Sequence, residues 1–129
     1  WPDNTMVLNN YAYFLSLEGR DLERALAMAG RAIVLEENNP TYLDTYAWVL
    51  YRLGRYDEAK KTMQQALSLD RSQSPDLQLH YGDILAALGE KFMAEVYWKK
   101  ALEGGYDDPD AIVERFRRLK EAAQTPAAP

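Results

Sequence analysis

His80 is the single histidine of the chain, and cysteine is absent. A disulfide, a thiolate ligand and a cysteine nucleophile are therefore excluded. A zinc site built on several imidazoles or thiolates, and a Ser-His arrangement with an orienting partner, have too few members to form. His80 immediately precedes Tyr81 in a helical pattern and is expected to be a partly exposed, groove- or loop-facing residue. Asp107, Asp108 and Asp110 lack the alternating oxygens and the closing Glu of a calcium loop, and Asp108 is better used as a helix cap. Gly104-Gly105 follows no strand, so it ends a helix rather than cradling a phosphate. Glu36-Glu37 and Asp57-Glu58 read as helix-end and first-turn charges. No catalytic residue, metal site or cofactor is expected.

The formal charge of −5 and the scattered basic residues argue against a nucleic-acid surface, which needs a positive stripe. The densest basic run, Arg115, Arg117, Arg118 and Lys120, lies among acids and is expected to be a solvated helix face. No run of 18 apolar residues exists, so this segment is not expected to insert into a membrane.

The elements that carry these residues are helical. In the stretch from Leu43 to Asp70, Leu43, Tyr46, Ala47 and Leu50 fall on one helix face, and Ala59, Met63, Ala66 and Leu67 on another. Gly54-Arg55 hinges the two into a hairpin. The hairpin then recurs. Tyr11, Tyr46 and Tyr81 are 35 residues apart, as are Gly19, Gly54 and Gly89, while Ala32, Ala66 and Ala101 are 34 and 35 apart. A period of that size is the signature of stacked helical units.

Helix starts give the same period independently. Asn4, Asn39, Ser74 and Asp108 are each able to cap an orphan amide, and the last three precede Pro40, Pro75 and Pro109. Helices are predicted at about 5–18, 21–36, 41–53, 56–69, 75–88, 90–103 and 109–123. In the seventh, Arg115 stands where Tyr81 stood and bulky Phe116 replaces the small Ala12, Ala47 and Gly82. That substitution leaves no room for a partner helix, so a terminal cap covering the last hairpin is expected.

These residues resemble the tetratricopeptide repeat, whose pattern is W-x2-L-G-x2-Y, then A-x3-F, then A and P. The copies read Leu8-x2-Tyr11-Ala12-x2-Leu15 with Ala25-x3-Ala29-x2-Ala32, Leu43-x2-Tyr46-Ala47-x2-Leu50 with Ala59-x3-Met63-x2-Ala66, and Tyr81-Gly82-x2-Leu85 with Ala94-x3-Trp98-x2-Ala101. The first carries one extra residue between Gly19 and Ala25, and its small Ala29 suggests a thinner contact. The phrasing resembles bacterial members of the family. The resemblance implies an all-α, right-handed superhelical solenoid of three hairpins plus a C-terminal capping helix. The expected divisions are a remnant of a preceding repeat at 1–4, repeats at 5–39, 40–74 and 75–108, the cap at 109–123 and a disordered tail at 124–129. A preceding repeat would make the apolar side of the first hairpin an artificial end.

In this family ligand contacts come from the concave side of each first helix. Transferred position by position, that implies Met6, Asn9, Asn10, Tyr13 and Ser16, then Thr41, Asp44, Thr45, Trp48 and Tyr51 with Arg52 at the rim, then Asp76, Leu79, His80, Asp83 and Ala86. Tyr13, Trp48 and Tyr51 lie off the face carrying Tyr46, Ala47 and Leu50, and large amphipathic rings supply binding area at low entropy cost; sideways packing on a neighbouring first helix is the competing reading. The subclass that clamps a C-terminal carboxylate uses Lys, Arg and Asn where this chain has Asn9, Tyr13, Thr45, Asp76 and His80, so the basic pair is missing. With Asp44, Asp76 and Asp83 on that side, a neutral or basic segment is the better match. The implied function is a non-enzymatic scaffold binding a peptide or helix of a protein partner, with no nucleic acid. The rival readings are a spacer or homo-oligomerising unit joined through the first repeat, and the non-catalytic arm of an enzyme.

Overall fold

A computed structural model describes residues 4–124. Of the expected remnant at 1–4 and the expected disordered tail at 124–129, residues 1–3 and 125–129 lie outside the described residues, while Gln124 is the last residue of a helix. Among those described, the chain forms α1 (Thr5–Glu18), α2 (Leu22–Leu35), α3 (Pro40–Arg52), α4 (Tyr56–Leu69), α5 (Pro75–Ala87), α6 (Lys91–Glu103) and α7 (Pro109–Gln124), with no strand. It divides into two compact units, Trp1–Gln73 and Ser74–Pro129.

The first unit holds two hairpins, α1/α2 and α3/α4. Asn4 Oδ1 accepts the Val7 amide at 3.1 Å, and Asn39 Oδ1 accepts those of Thr41 and Tyr42 at 3.0 and 3.2 Å, so both first helices start on a side-chain cap. Each first helix ends in the same way. A backbone bond closes six residues, Arg20 to Leu15 and Arg55 to Leu50, around a glycine at positive φ, Gly19 at 69° and Gly54 at 80°. That Schellman closure satisfies the terminal carbonyls and turns the chain back. The extra residue of the first hairpin is absorbed by Asp21, which adopts a left-handed φ of 49° before α2 begins.

The core of this unit joins Leu8, Ala12 and Leu15 of α1 to Ala25, Met28, Ala29 and Ala32 of α2 and to Val49 of α3. Buried Met28 supplies bulk beside Ala29. In the second hairpin Leu43, Ala47 and Leu50 of α3 and Ala59, Met63 and Ala66 of α4 are buried. The alanines admit close approach of the helices. Each fully buried large aliphatic side chain removes surface worth about 1.5–3 kcal/mol from water.

The second unit holds α5, α6 and α7. Glu90 closes on Leu85 and Tyr106 on Ala101 by the same backbone bond, with Gly89 and Gly105 at positive φ. Asp108 Oδ1 accepts the Ala111 amide at 3.2 Å, whereas Ser74, expected to cap α5, makes no side-chain cap bond. There Pro75 at the first helical position lacks an N–H, which leaves one orphan donor fewer to satisfy.

Within this unit the third hairpin solves the packing problem differently from the second. Trp98 occupies the place of Met63, and Gly82 that of Ala47. A Cβ on Gly82 would lie 2.4 Å from Trp98 Cδ1 and 2.6 Å from its Nε1. The larger ring is therefore paid for by the smallest residue opposite.

Candidate protein-interaction face

α1 and α3 lie side by side and run parallel, because they are tied at both ends. Tyr42 Oη donates to Thr5 Oγ1 at 3.3 Å near the N-termini. Arg52 Nε donates to the Ser16 carbonyl at 2.9 Å near the C-termini. Ser16 is fully buried, so this guanidinium satisfies an interior helix-end carbonyl. Arg52 thus fastens the two first helices together.

Of the other implied contact residues in this unit, Asn9, Asp44 and Thr45 are buried. Thr45 Oγ1 turns back onto the Thr41 carbonyl at 3.3 Å. Asn9 Oδ1 has no hydrogen-bond partner among the described residues. Tyr13, Trp48 and Tyr51 are half-buried, so each offers surface while being held in place. Trp48 and Tyr51 stack with centroids 4.7 Å apart and planes at 26°. Tyr56, the first residue of α4, extends the row at 5.6 Å and 48°. Sequence reasoning missed Tyr56 because the hinge at Gly54 breaks the helical spacing that links Trp48 to Tyr51.

In the second unit Asp76 is exposed on the first turn of α5, whereas His80 is buried rather than partly exposed. Asp83 is also buried and its carboxylate is already engaged. It accepts Trp98 Nε1 at 2.9 Å, Arg115 Nε at 2.7 Å and the Arg115 Nη2 at 2.9 Å. Arg115 further donates to the Ala111 carbonyl at 3.0 Å. The bidentate pair latches α7 to α5, so Arg115 is no member of a solvated face; the side chains of Asp83 and Arg115 are only 10% and 29% exposed. Phe116 seals the same junction, meeting Trp98 edge to face at 5.6 Å.

The remainder of the basic run does face solvent. Arg117 chelates Glu114 and also reaches Glu121, and Arg118 Nε donates to Glu114 at 3.1 Å. The hydrogen bond from Arg117 is the main cause that draws the Glu114 carboxyl from 4.5 down to about 2, against a smaller opposing effect of burial and with Arg118 adding to it. A depressed carboxyl supports the folded state above its unfolded value and loses that support as pH falls through the folded one. NMR titration of the Glu114 side chain is expected to give a midpoint near 2, with weakening of the α7 charge network between roughly pH 4.5 and 2; a midpoint in the ordinary carboxylate range would contradict these pairings.

No group of three or more His, Asp or Glu side chains among the described residues could hold a metal ion. No described helix is long and apolar enough to cross a membrane. A separate open recess in the first unit, of about 530 Å³, is lined by Gly30, Ile33 and Val34 of α2, Leu43 and Tyr46 of α3, and Thr62 and Gln65 of α4.

The hairpin α3/α4, with its capped start, Schellman turn and alanine contacts, coincides with the stretch matched by a tetratricopeptide repeat model, residues 40–72. Residues 40–72 thus read as a tetratricopeptide repeat. A TPR repeat-containing protein of Pseudomonas aeruginosa is 30% identical over 82 residues, covering 64% of this chain. The chain spans 14% of that relative's length. Among solved structures, the first TPR of Spaghetti (RPAP3) bound to an HSP90 peptide matches with a TM-score of 0.78 at 18% identity, covering 94% of each chain. The type III secretion translocator chaperone SycD of Yersinia enterocolitica matches at 0.76 and 18%, covering 97% of this chain and 98% of its own. The Sgt2 TPR domain of Aspergillus fumigatus matches at 0.77 and 19%, covering 100% and 87%. The TPR fold of this chain is thus an all-α helical-repeat solenoid.

Proposed function

We propose that this tetratricopeptide chain is a non-catalytic protein-interaction module. In the first unit it binds a peptide or helical segment of a partner on the α1/α3 face that presents Tyr13, Trp48 and Tyr51. The observation that carries the reading is the stacked Trp48–Tyr51 pair, half-buried on the side of α3 away from the hairpin core. Held rings of this kind supply apolar area and a polar edge with little entropy left to lose. Similar folds include a domain bound to an HSP90 peptide and a secretion chaperone, which supports an interaction role. The basic pair of a carboxylate clamp is missing, with Asn9, Tyr13, Thr45, Asp76 and His80 at its positions, so a neutral or basic segment suits the face better than an acidic tail. Trp48→Ala is expected to weaken a partner isolated on the wild-type chain by tenfold or more while leaving helicity intact. Unchanged affinity by calorimetry would contradict the reading.

A second reading, self-association, is favoured by one specific feature. Val7, Tyr11 and Phe14 of α1 are 50%, 39% and 45% exposed, whereas the residues one and two repeats on, Tyr42, Tyr46 and Val49 or Leu77, Tyr81 and Ile84, are buried or half-buried. A second copy of the chain could cover that face. Light scattering across a concentration series separates the two readings, because a constant monomer mass excludes this one.

A further inference from the structure

The three rings Trp48, Tyr51 and Tyr56 are a property of the middle hairpin and not of the repeat. At the same places the first hairpin carries Tyr13, Ser16 and Leu22, and the third Asp83, Ala86 and Lys91. The period therefore does not require an aromatic row here. Given that the α1/α3 face binds a partner, we infer that the row docks a proline-rich, uncharged segment in the polyproline II conformation.

Charge, backbone chemistry and length each favour that occupant. Asp44 is buried and the Arg52 guanidinium is committed to the Ser16 carbonyl, so the strip carrying Trp48 and Tyr51 suits an uncharged segment. The main-chain groups beneath the rings are already used, by α3 itself and by the turn bonds Gly54 to Tyr51 and Arg55 to Leu50. No strand edge is on offer, so an extended partner rich in amide donors would find no main-chain ladder here. A proline-rich segment has few such donors, keeps its carbonyls in water and arrives already extended, which lowers its ordering cost. Successive ring centres 4.7 and 5.6 Å apart extend over no more than about 10 Å, close to one turn of polyproline II, three residues at about 3.1 Å each. One turn of such a segment matches the row.

The test uses the whole chain, labelled for NMR, with three blocked synthetic peptides of about ten residues: alternating Pro/Ala, Gly/Ser, and Lys/Ala. A fourth, amphipathic helical peptide serves as a comparison. The Pro/Ala peptide is expected to shift the Trp48 and Tyr51 side-chain signals and to bind at least about tenfold more tightly than Gly/Ser. Trp48→Ala should weaken it about tenfold or more, and Tyr56→Leu, which copies Leu22 and keeps an apolar helix start, several-fold. Val34→Ser, on the far recess, should leave it unchanged. Equal binding of Pro/Ala and Gly/Ser, tighter binding of Lys/Ala, or indifference to both ring variants would overturn the inference. If only the helical peptide moves Trp48 and Tyr51, this inference falls while the binding face stands. If all four peptides leave those signals unmoved, this inference is likewise overturned, while loss of an isolated partner by Trp48→Ala still tests the face itself.

Discussion

Gly82→Ala is expected to destabilise the chain by about 2 kcal/mol, although alanine is the better helix former by roughly 1 kcal/mol. The reason is steric. The new methyl would lie 2.4 and 2.6 Å from the Trp98 ring and 3.2 Å from the Ala94 carbonyl oxygen. Trp98 cannot swing away, because it is buried, bonded to Asp83 through Nε1 and packed on Phe116. Gly30→Ala supplies the control of opposite sign. Its methyl would meet only Tyr46 Cε2 at 3.5 Å, an ordinary contact, so the helix propensity gain of about 0.5–1 kcal/mol should appear as stabilisation. Combining Gly82→Ala with Trp98→Met copies the Ala47–Met63 pair of the second hairpin. The double variant should lose less than the sum of the singles by at least about 1 kcal/mol. Urea denaturation followed by circular dichroism measures all four, and strictly additive losses would show that Gly82 and Trp98 do not share one volume.

Asp83→Ala should cost about 3 kcal/mol, because it strands a half-buried guanidinium and a buried indole N–H at once. Arg115→Ala should cost less, since Asp83 then keeps the bond from Trp98. Asp83→Asn retains an acceptor for the indole while removing the charge, so it should fall between Asp83→Ala and the wild type. Amide exchange on α7 is expected to accelerate in all three. A loss below about 0.5 kcal/mol for Asp83→Ala would show that the latch contributes nothing net, as exposed pairs commonly do.

The helices and their hinges were legible because local chemistry writes them. Asn4, Asn39 and Asp108 use their own side chains as caps, and the glycines of the hinges occur where a left-handed residue is required. The predicted helix limits differ from the observed ones by at most a residue at either end. What the period alone could not convey was how an individual position is spent. Asp83 shares its register with Tyr13 and Trp48, yet it faces a tryptophan and an arginine that come from 15 and 32 residues further on. Arg52 stands at the rim of the implied groove but reaches the end of α1, 36 residues back. Ser74 repeats the cap position without making the bond. Tyr56 joins the aromatic row across a turn, where helical spacing ceases to report proximity. In each case the decisive partner lies on another helix, and helical periodicity carries no information about it.

We propose that the α1/α3 face, with its row of rings, is where a partner segment docks. A chemical-shift map of the labelled chain against a bound segment tests it most directly. The account predicts the largest changes at Tyr13, Trp48 and Tyr51, with Ile33, Val34 and Thr62 of the far recess unmoved. Changes centred on those recess residues, with the three rings silent, would contradict it.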